Sequence, residues 1–389
     1  MTARHPFHTI AIAGVYNTRQ ARQLEGETSR GVTFDAIRGT LADAGISLAD
    51  VDGLNVTSGV SYPVAPPDFR WDPYPLFGGR PAWTGWATPG IVAVLEAAAA
   101  IATGQCHTVL IANGQVGDYR QRDSTAPWTR PSNEFVECWG MFTTAEFALL
   151  AQAHMHRYGT KPEHLAEVAA TIRNNGHLNP EAVYYGRGPF TPDDILESRL
   201  IAEPYHVLDC STTSEGGVGL LLTTAERARD MRRPPVHLLG GAVDTVGPSY
   251  ERPVIFDELA WVGEEAGKKA YAMAGIGPAD VDVCEFYDNF SWEIIHQFEL
   301  YGFCPKGEGG PFVMDGRIRL DGEYPIVTDG GTMSFAHIGQ GQYLQRIVSG
   351  VHQLRGEAGV RQVPDAKIVL ASNTGLTRRP VLIYGTSPA

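Results

Sequence analysis

A twelve-residue stretch occurs twice in this chain. Leu41-Ala-Asp-Ala-Gly-Ile-Ser-Leu-Ala-Asp-Val-Asp52 and Tyr271-Ala-Met-Ala-Gly-Ile-Gly-Pro-Ala-Asp-Val-Asp282 are identical at eight of twelve positions, at a constant offset of 230 (271 minus 41). A long-period repeat constrains a fold more than any single motif, because each copy must build the same supersecondary unit. Each copy closes a helical pattern at Gly, turns, and enters an apolar run. The flanks echo as well. Thr9-Ile-Ala-Ile-Ala-Gly14 resembles Val236-His-Leu-Leu-Gly-Gly241. Thr108-Val-Leu-Ile-Ala-Asn-Gly114 resembles Ile368-Val-Leu-Ala-Ser-Asn-Thr-Gly375, and a helical segment ending at Gly104 or Gly356 precedes each. Each half thus reads strand, helix, strand, helix, strand. Apolar runs bounded by glycine predict strands buried on both faces beneath helices, an α/β class. The expected halves are residues 1–235 and 236–389.

Residues 115–233 have no echo in the second half. They open on an irregular polar-aromatic loop, Asp118 to Met141. Helices are expected at Thr143–Tyr158, after the capping box Thr160-Lys-Pro-Glu163, and after Thr191-Pro-Asp-Asp194. A glycine-rich strand, Gly216 to Thr223, returns the chain to the first half. Such an insertion serves either as a substrate lid or as a packing or dimer surface. Trp128, Trp139, Tyr184 and Tyr185 line an apolar pocket in the first case and pack a core in the second.

Composition excludes several classes. A net charge of −13 and a pI of about 5.4 argue against a nucleic-acid partner, whose phosphates need Lys and Arg. The N-terminus lacks a basic-then-apolar leader. The longest helical apolar run, Ile91 to Thr103, contains Glu96 and is too short to span a bilayer. A cytoplasmic, non-membrane protein is the expectation. Cys106, Cys138, Cys210, Cys284 and Cys304 are odd in number and widely spaced, so they form neither a disulfide framework nor a zinc pattern. His154 and His156 stand two apart on a helical pattern and share no face for a metal.

Two titratable groups sit on tight junctions. A β-type run, Val281 to Phe286, stops at Tyr287-Asp288, and a helical pattern, Trp292 to Leu300, follows. Fifty residues on (337 minus 287), His337 lies among Gly330, Gly331, Gly339 and Gly341. Positions like these suit chemistry, since strand ends and glycine turns present side chains to ligands. The bland alternatives are a core-edge tyrosine with a satisfied hydroxyl and a structural histidine. Asp288 could orient either group or cap the helix from Phe290.

Four stretches carry a resemblance. They are Ala270-Tyr-Ala-Met-Ala-Gly-Ile-Gly-Pro-Ala-Asp-Val-Asp282, Phe286-Tyr-Asp-Asn-Phe-Ser291, Tyr301-Gly-Phe-Cys-Pro-Lys-Gly-Glu-Gly-Gly-Pro311, and Gln353-Leu-Arg-Gly356 with Arg361-Gln-Val-Pro364. They are similar to the thiolase superfamily, above all its sterol-carrier/lipid-transfer-protein-type branch, over essentially the whole chain. The resemblance implies a duplicated thiolase fold with five αβαβα layers and a helical and loop insertion in the first half. It also implies a place for a nucleophilic cysteine at the start of the helix before the Thr108 strand, where the positive helix end lowers a thiol pKa. That place falls near Ala87-Thr88-Pro89, and no cysteine is there. The second thiolase cysteine would stand in Ala371-Ser-Asn-Thr-Gly375 and is also absent. Cys106, Cys138 and Cys210 match neither place.

By the same resemblance, Tyr287 occupies the place of the Asn or His of the thiolase oxyanion hole. His337 occupies the place of the histidine of a Gly-His-Pro motif, with Ile338 for the proline. A missing nucleophile beside retained polar groups resembles the thiolase-like aldolases of steroid side-chain degradation. Those cleave a β-hydroxyacyl-CoA by retro-aldol chemistry and carry a tyrosine at the place of Tyr287. They usually carry a second tyrosine where this chain has His337; Tyr343, six residues on (343 minus 337), is the candidate substitute. The resemblance further implies a homodimer with both active sites near the interface. It implies a small zinc-ribbon/OB-fold (DUF35) partner that can admit the CoA. The acyl-CoA is then substrate, with no tightly bound cofactor or metal.

Retro-aldol cleavage needs a base for the β-hydroxyl, donors for the thioester enolate, and an acid for Cα. His337 is the candidate base, since an ordinary imidazole titrates near neutrality. Tyr287 is the candidate donor or acid; a phenol acts as a base only where neighbours lower its ordinary pKa of about 10. Asp288, Gly330, Gly331 and Gly339 are the candidate substrate-binding positions, the glycines through close-lying backbone N–H groups. Two other readings compete: an acyl-CoA acyltransferase using another nucleophile or none, and a non-catalytic thiolase-like scaffold or lipid-binding subunit.

Overall fold

The computed structural model describes residues 5–59, 81–117, 142–247, 255–373, 375 and 377–388. The loop Asp118–Met141, with Cys138, Trp128 and Trp139, lies outside them. In chain order the first half contains β1 (Ile10–Asn17), α1 (Ser29–Ala44), β2 (Gly53–Ser58), the short β3 (Trp83–Thr84), α2 (Ile91–Ala102) and β4 (Thr108–Gln115). The excursion follows with α3 (Thr143–Tyr158), α4 (Pro162–Leu178), α5 (Pro192–Glu197) and the hairpin β5 (Leu200–Ala202) and β6 (Tyr205–His206). β7 (Gly216–Thr224) rejoins the sheet. The second half holds β8 (Val236–Thr245), α6 (Glu264–Ala274), β9 (Val283–Glu285), α7 (Ser291–Leu300), α8 (Gln342–Leu354), β10 (Ile368–Ser372) and β11 (Arg378–Gly385).

Three of the identities in the repeated twelve residues, one Gly and two Asp, have the same task in both copies. α1 ends at Gly45 (φ +74) and α6 at Gly275 (φ +70), left-handed positions that glycine adopts without a Cβ penalty. Their N–H groups donate to the carbonyls of Leu41 and Tyr271 at 2.9 and 2.8 Å. Asp50 and Asp280 then accept the N–H of Ser47 and Gly277 at 2.9 and 2.8 Å. Asp52 accepts from Thr108 N–H at 2.8 Å, and Asp282 from Ile368 N–H at 2.8 Å. The repeat therefore stops a helix, shapes a turn, and ties the next strand's entrance to its neighbour.

Among the described residues nine strands form one sheet in the order β3-β2-β4-β7-β1-β8-β11-β10-β9. The halves meet where β1 runs antiparallel to β8, with Ala11 opposite His237 and Ile12 opposite Val236. Outward from that seam, β7, β4 and β2 correspond to β11, β10 and β9. β2 is parallel to β4, as β9 is to β10, while β7 and β11 are antiparallel to β4 and β10. The expectation of three strands per half misses β11, and it counts the expected strand at Gly216 to Thr223, which is β7, with the insertion. β7 has a counterpart in β11, so the stretch without an echo stops before Gly216.

Five layers stack as αβαβα. In β4, Val109 and Ile111 face the central helices α2 and α8, and Leu110 and Ala112 face the outer helix α1. All eight β4 residues are buried, which is why the strand reads as a continuous apolar run. Val369 and Ala371 of β10 face the same central layer, and Leu370 faces the outer layer of α6 and α7. The excursion packs on that outer layer through Phe147, Leu165, Val168 and Ile172. Its helix at Pro162 is not opened by Thr160 as expected, because the Thr160 hydroxyl pairs with His154 Nδ1 at 2.9 Å. No described helix is long and apolar enough to cross a membrane.

Candidate active site

β9 pairs with β10 only as far as Glu285 opposite Ala371, and the next two residues turn out of the sheet. Phe286 anchors the turn in an aromatic cluster, 5.1 Å from Phe298. Glu285 points into the core, where Ser349 donates to it at 2.8 Å and the fully buried Arg346 lies 3.4 Å away. Arg346 also reaches Asp329 at 2.9 Å. Burial pushes the Glu285 carboxyl up to about 7, with Asp329 adding to the rise and Arg346 opposing it.

Tyr287 is pinned through its backbone. Its N–H donates to Ser372 Oγ at 3.2 Å, and its carbonyl accepts from Gln297 Nε2 at 2.9 Å. The Ser372 hydroxyl in turn donates to Gln297 Oε1, closing a ring of polar contacts around the residue. The Tyr287 side chain is buried, and its ring lies against Tyr343 at 5.2 Å between centroids. Tyr343 sits half-buried in the first turn of α8.

The start of α2 arrives at the same place from the other half. Asn373, at the end of β10, accepts the Ile91 N–H at 2.9 Å and donates to the Tyr343 carbonyl at 3.1 Å. It caps one central helix and holds the other. Gly90 stands immediately before α2, and a Cβ there would lie 2.7 Å from Tyr343 Cβ and 2.9 Å from Asn373 Oδ1. Just after the place near Thr88 where a thiolase-like helix start would present a nucleophile, Gly90 packs against the base of Tyr343.

His337 is 2% exposed and lies in a parallel bridge with Thr213. Its N–H donates to the Thr212 carbonyl at 3.2 Å, and its carbonyl accepts from Ser214 at 2.9 Å. Burial lowers its pKa from 6.5 to about 3. Burial therefore favours the neutral imidazole, whose unprotonated ring nitrogen can accept a proton and whose ring N–H can donate one. A neutral ring can still hydrogen-bond a polarised oxygen, as the neutral electrophilic histidines of other enzymes do.

The remaining candidates serve the turn itself. Asp288 is fully buried, and both its carboxylate oxygens accept backbone N–H groups, from Thr332 at 2.8 Å and Met333 at 3.0 Å. It neither caps α7, whose N-cap is Phe290, nor opens to a ligand. The Gly330 N–H goes to the Val327 carbonyl at 3.0 Å and the Gly331 N–H to Asp329 Oδ1 at 2.8 Å, so neither is left for a thioester. Gly339 (φ +64) supplies a left-handed turn just after His337. The structure thus brings Tyr287 and Tyr343 together and reduces Asp288, Gly330 and Gly331 to scaffolding. Among the described residues no group of three His, Cys, Asp or Glu is placed to hold a metal ion.

Residues 257–386 match the family described as Thiolase C-terminal domain-like. A steroid side-chain-cleaving aldolase of Thermomonospora curvata is 31% identical over 94% of this chain and 95% of its own. The chain belongs to the thiolase superfamily. A 17-hydroxy-3-oxo-4-pregnene-20-carboxyl-CoA lyase of Mycobacterium tuberculosis is 33% identical, covering 91% of this chain and 94% of that one. A solved structure of an Ltp2-ChsH2(DUF35) aldolase superposes with a TM-score of 0.82 at 29% identity, over 97% of this chain and 98% of that one. Within this superfamily member, sequence reasoning passed over Asn373, Ser372 and Gln297. The signal for Asn373 was present in the echo of the two strand ends, where Asn113 and Asn373 occupy equivalent places.

Proposed function

We propose that this chain is a carbon–carbon lyase that cleaves a β-hydroxyacyl-CoA with a bulky, steroid-side-chain-type acyl group by a retro-aldol reaction. The observation that carries this reading is the start of α2: no thiol is there, and Tyr343 packs on Gly90 beside Tyr287. Relatives named as aldolase and CoA lyase along nearly their whole length support it.

In the reaction a base takes the β-hydroxyl proton. The Cα–Cβ bond breaks, and its electron pair passes into the thioester as an enolate while the β-carbon leaves as a carbonyl compound. An acid then protonates Cα. In our reading the phenols of Tyr287 and Tyr343 carry these two proton transfers, one entering as phenolate to take the β-hydroxyl proton and the other as phenol to protonate Cα. The neutral imidazole of His337 hydrogen-bonds the thioester oxygen as charge develops there, the role in which a fixed donor in a dry site is most effective. The acyl-CoA is substrate, and no tightly bound cofactor or metal is required by these steps.

The assembly in this reading is a cytoplasmic homodimer joined by a DUF35 zinc-ribbon/OB-fold protein. The similar aldolase structure, whose name includes a DUF35 component, supports the partner. A chain of net charge −13 also gains from a partner that supplies a basic entrance for the CoA phosphates. The test is a lyase assay on a matched β-hydroxyacyl-CoA, with and without a DUF35 protein. Tyr287→Phe and Tyr343→Phe should each lower kcat by about 100-fold or more, the usual scale of a lost proton-transfer group. Wild-type turnover in both variants would overturn the assignment.

A further inference from the structure

Asp288 follows Tyr287 directly, yet its side chain turns away into the protein. Besides the two N–H groups of Thr332 and Met333 held by its carboxylate, its carbonyl accepts the Thr332 hydroxyl at 2.8 Å. The carboxylate fills the space beside Gly331, where a Cβ would lie 2.0 Å from Asp288 Oδ2. Arg173 of α4 grips the same turn from the opposite side. It too is fully buried, and it donates to the Met333 carbonyl, to Thr212 Oγ1 at 3.2 Å and to the Cys210 carbonyl at 2.7 Å. The Thr212 hydroxyl also donates to the Met333 carbonyl at 2.7 Å, and the Thr212 carbonyl is the acceptor for the His337 N–H.

The Thr332–Met333 segment therefore lies between opposite charges, its N–H groups toward a carboxylate and the Met333 carbonyl toward a guanidinium. Charge-assisted bonds to a backbone dipole are strong and directional, and in a dry interior they hold one geometry. The chain of contacts starts one residue after Tyr287 and ends one hydrogen bond from His337. We propose that Asp288 and Arg173 are positioning residues that clamp the Thr332–Met333 turn and thereby set the separation between Tyr287 and His337. This rests on the reading of Tyr287 and His337 as the groups that act on the substrate.

Asp288→Asn is the first test, made in the full chain with its partner protein present. The amide keeps the shape but turns one NH2 toward a backbone N–H, so the turn shifts. A displacement of about 1 Å at a reacting group costs up to about 100-fold in rate. We expect kcat to fall about 10- to 100-fold with KM within about threefold, because substrate still binds and only the geometry of reaction is lost. In a His337→Ala background the same change should add less than about threefold, since residues acting as one unit are not additive. A merely structural residue would lower both backgrounds equally.

Thr332→Val provides a second test if Asp288→Asn does not fold. It removes only the hydroxyl bond to the Asp288 carbonyl. It should lower kcat in the same direction, and Thr332→Ser should restore it. Wild-type kcat in folded Asp288→Asn, an undiminished loss in the His337→Ala background, or wild-type kcat in Thr332→Val would each overturn the clamp. If instead Tyr287→Phe and His337→Ala both keep wild-type turnover, the underlying reading of the site fails rather than the clamp.

Discussion

A cysteine introduced at Gly90 is the sharpest test of how this thiolase-fold site differs from a thiolase. The new Cβ would stand 2.7 Å from Tyr343 Cβ and 2.9 Å from Asn373 Oδ1, whereas carbon atoms in contact ordinarily sit about 3.5–4.0 Å apart. Neither neighbour can yield freely, because Asn373 holds both the Ile91 N–H and the Tyr343 carbonyl. Overpacking of this kind costs about 1–3 kcal/mol, and releasing the cap on α2 costs about 1 kcal/mol more. Gly90→Cys should therefore be destabilised by about 2–4 kcal/mol, read as a lower urea midpoint. Relief of the clash must also move Tyr343 by about 1 Å relative to Tyr287, which corresponds to a loss of about 100-fold in lyase kcat. Incubation with radiolabelled acetyl-CoA should leave no acyl group on the protein. Gly90→Ala serves as control, and it should share both losses because the cause is the Cβ and not the thiol. Wild-type stability and turnover in Gly90→Cys, or a trapped acyl-enzyme, would refute the steric argument.

Other outcomes follow from the buried titratable groups. Glu285 keeps its proton to about 7 in the folded chain, against an ordinary value of 4.5. The unfolded chain releases that proton first as pH rises, so the contribution to stability is present below pH 4.5 and lost as pH climbs through 7. Between pH 4.5 and 8 the wild type should lose about 3 kcal/mol relative to Glu285→Gln, measured by urea unfolding at both pH values; parallel curves would contradict the assignment. His337, lowered to about 3, stays neutral from pH 5 to 8. The pH profile of kcat/KM should therefore show no inflection near 6.5 that disappears in His337→Gln, and finding one would return the residue to the role of a titrating base.

The fold was largely legible from residues alone, and the candidate site was legible only in part. The glycines, Asp50 and Asp280 of the repeat act within a turn of themselves, so a single sequence displays their work, whereas Asp52 and Asp282 reach Thr108 and Ile368. β7 was legible as a glycine-rich strand, but its kinship with β11, and β11 itself, were not, because both are defined by pairing with strands far along the chain. Tyr287 was visible as a polar residue at a strand end, and the missing thiol near Thr88 could be read directly. Gln297 was not singled out, since an amide reveals its role only through the partners it meets, and Asn373 left its trace only in the echo of the two strand ends. The helix cap expected as one role of Asp288 is absent for the same reason: its neighbour in sequence faces the site, but its own side chain serves the turn at Thr332.

By itself, then, the sequence determined a duplicated α/β architecture and the loss of a thiolase nucleophile. Both are properties of local pattern and residue identity. Only the tertiary structure decided what replaces the nucleophile. Ile91 and Asn373 bond although they are 282 residues apart, and that meeting of the two halves sets Tyr343 on Gly90 and against Tyr287. The protonation of His337 likewise depends on how completely the fold removes it from water, a property of packing that no single position in the chain records.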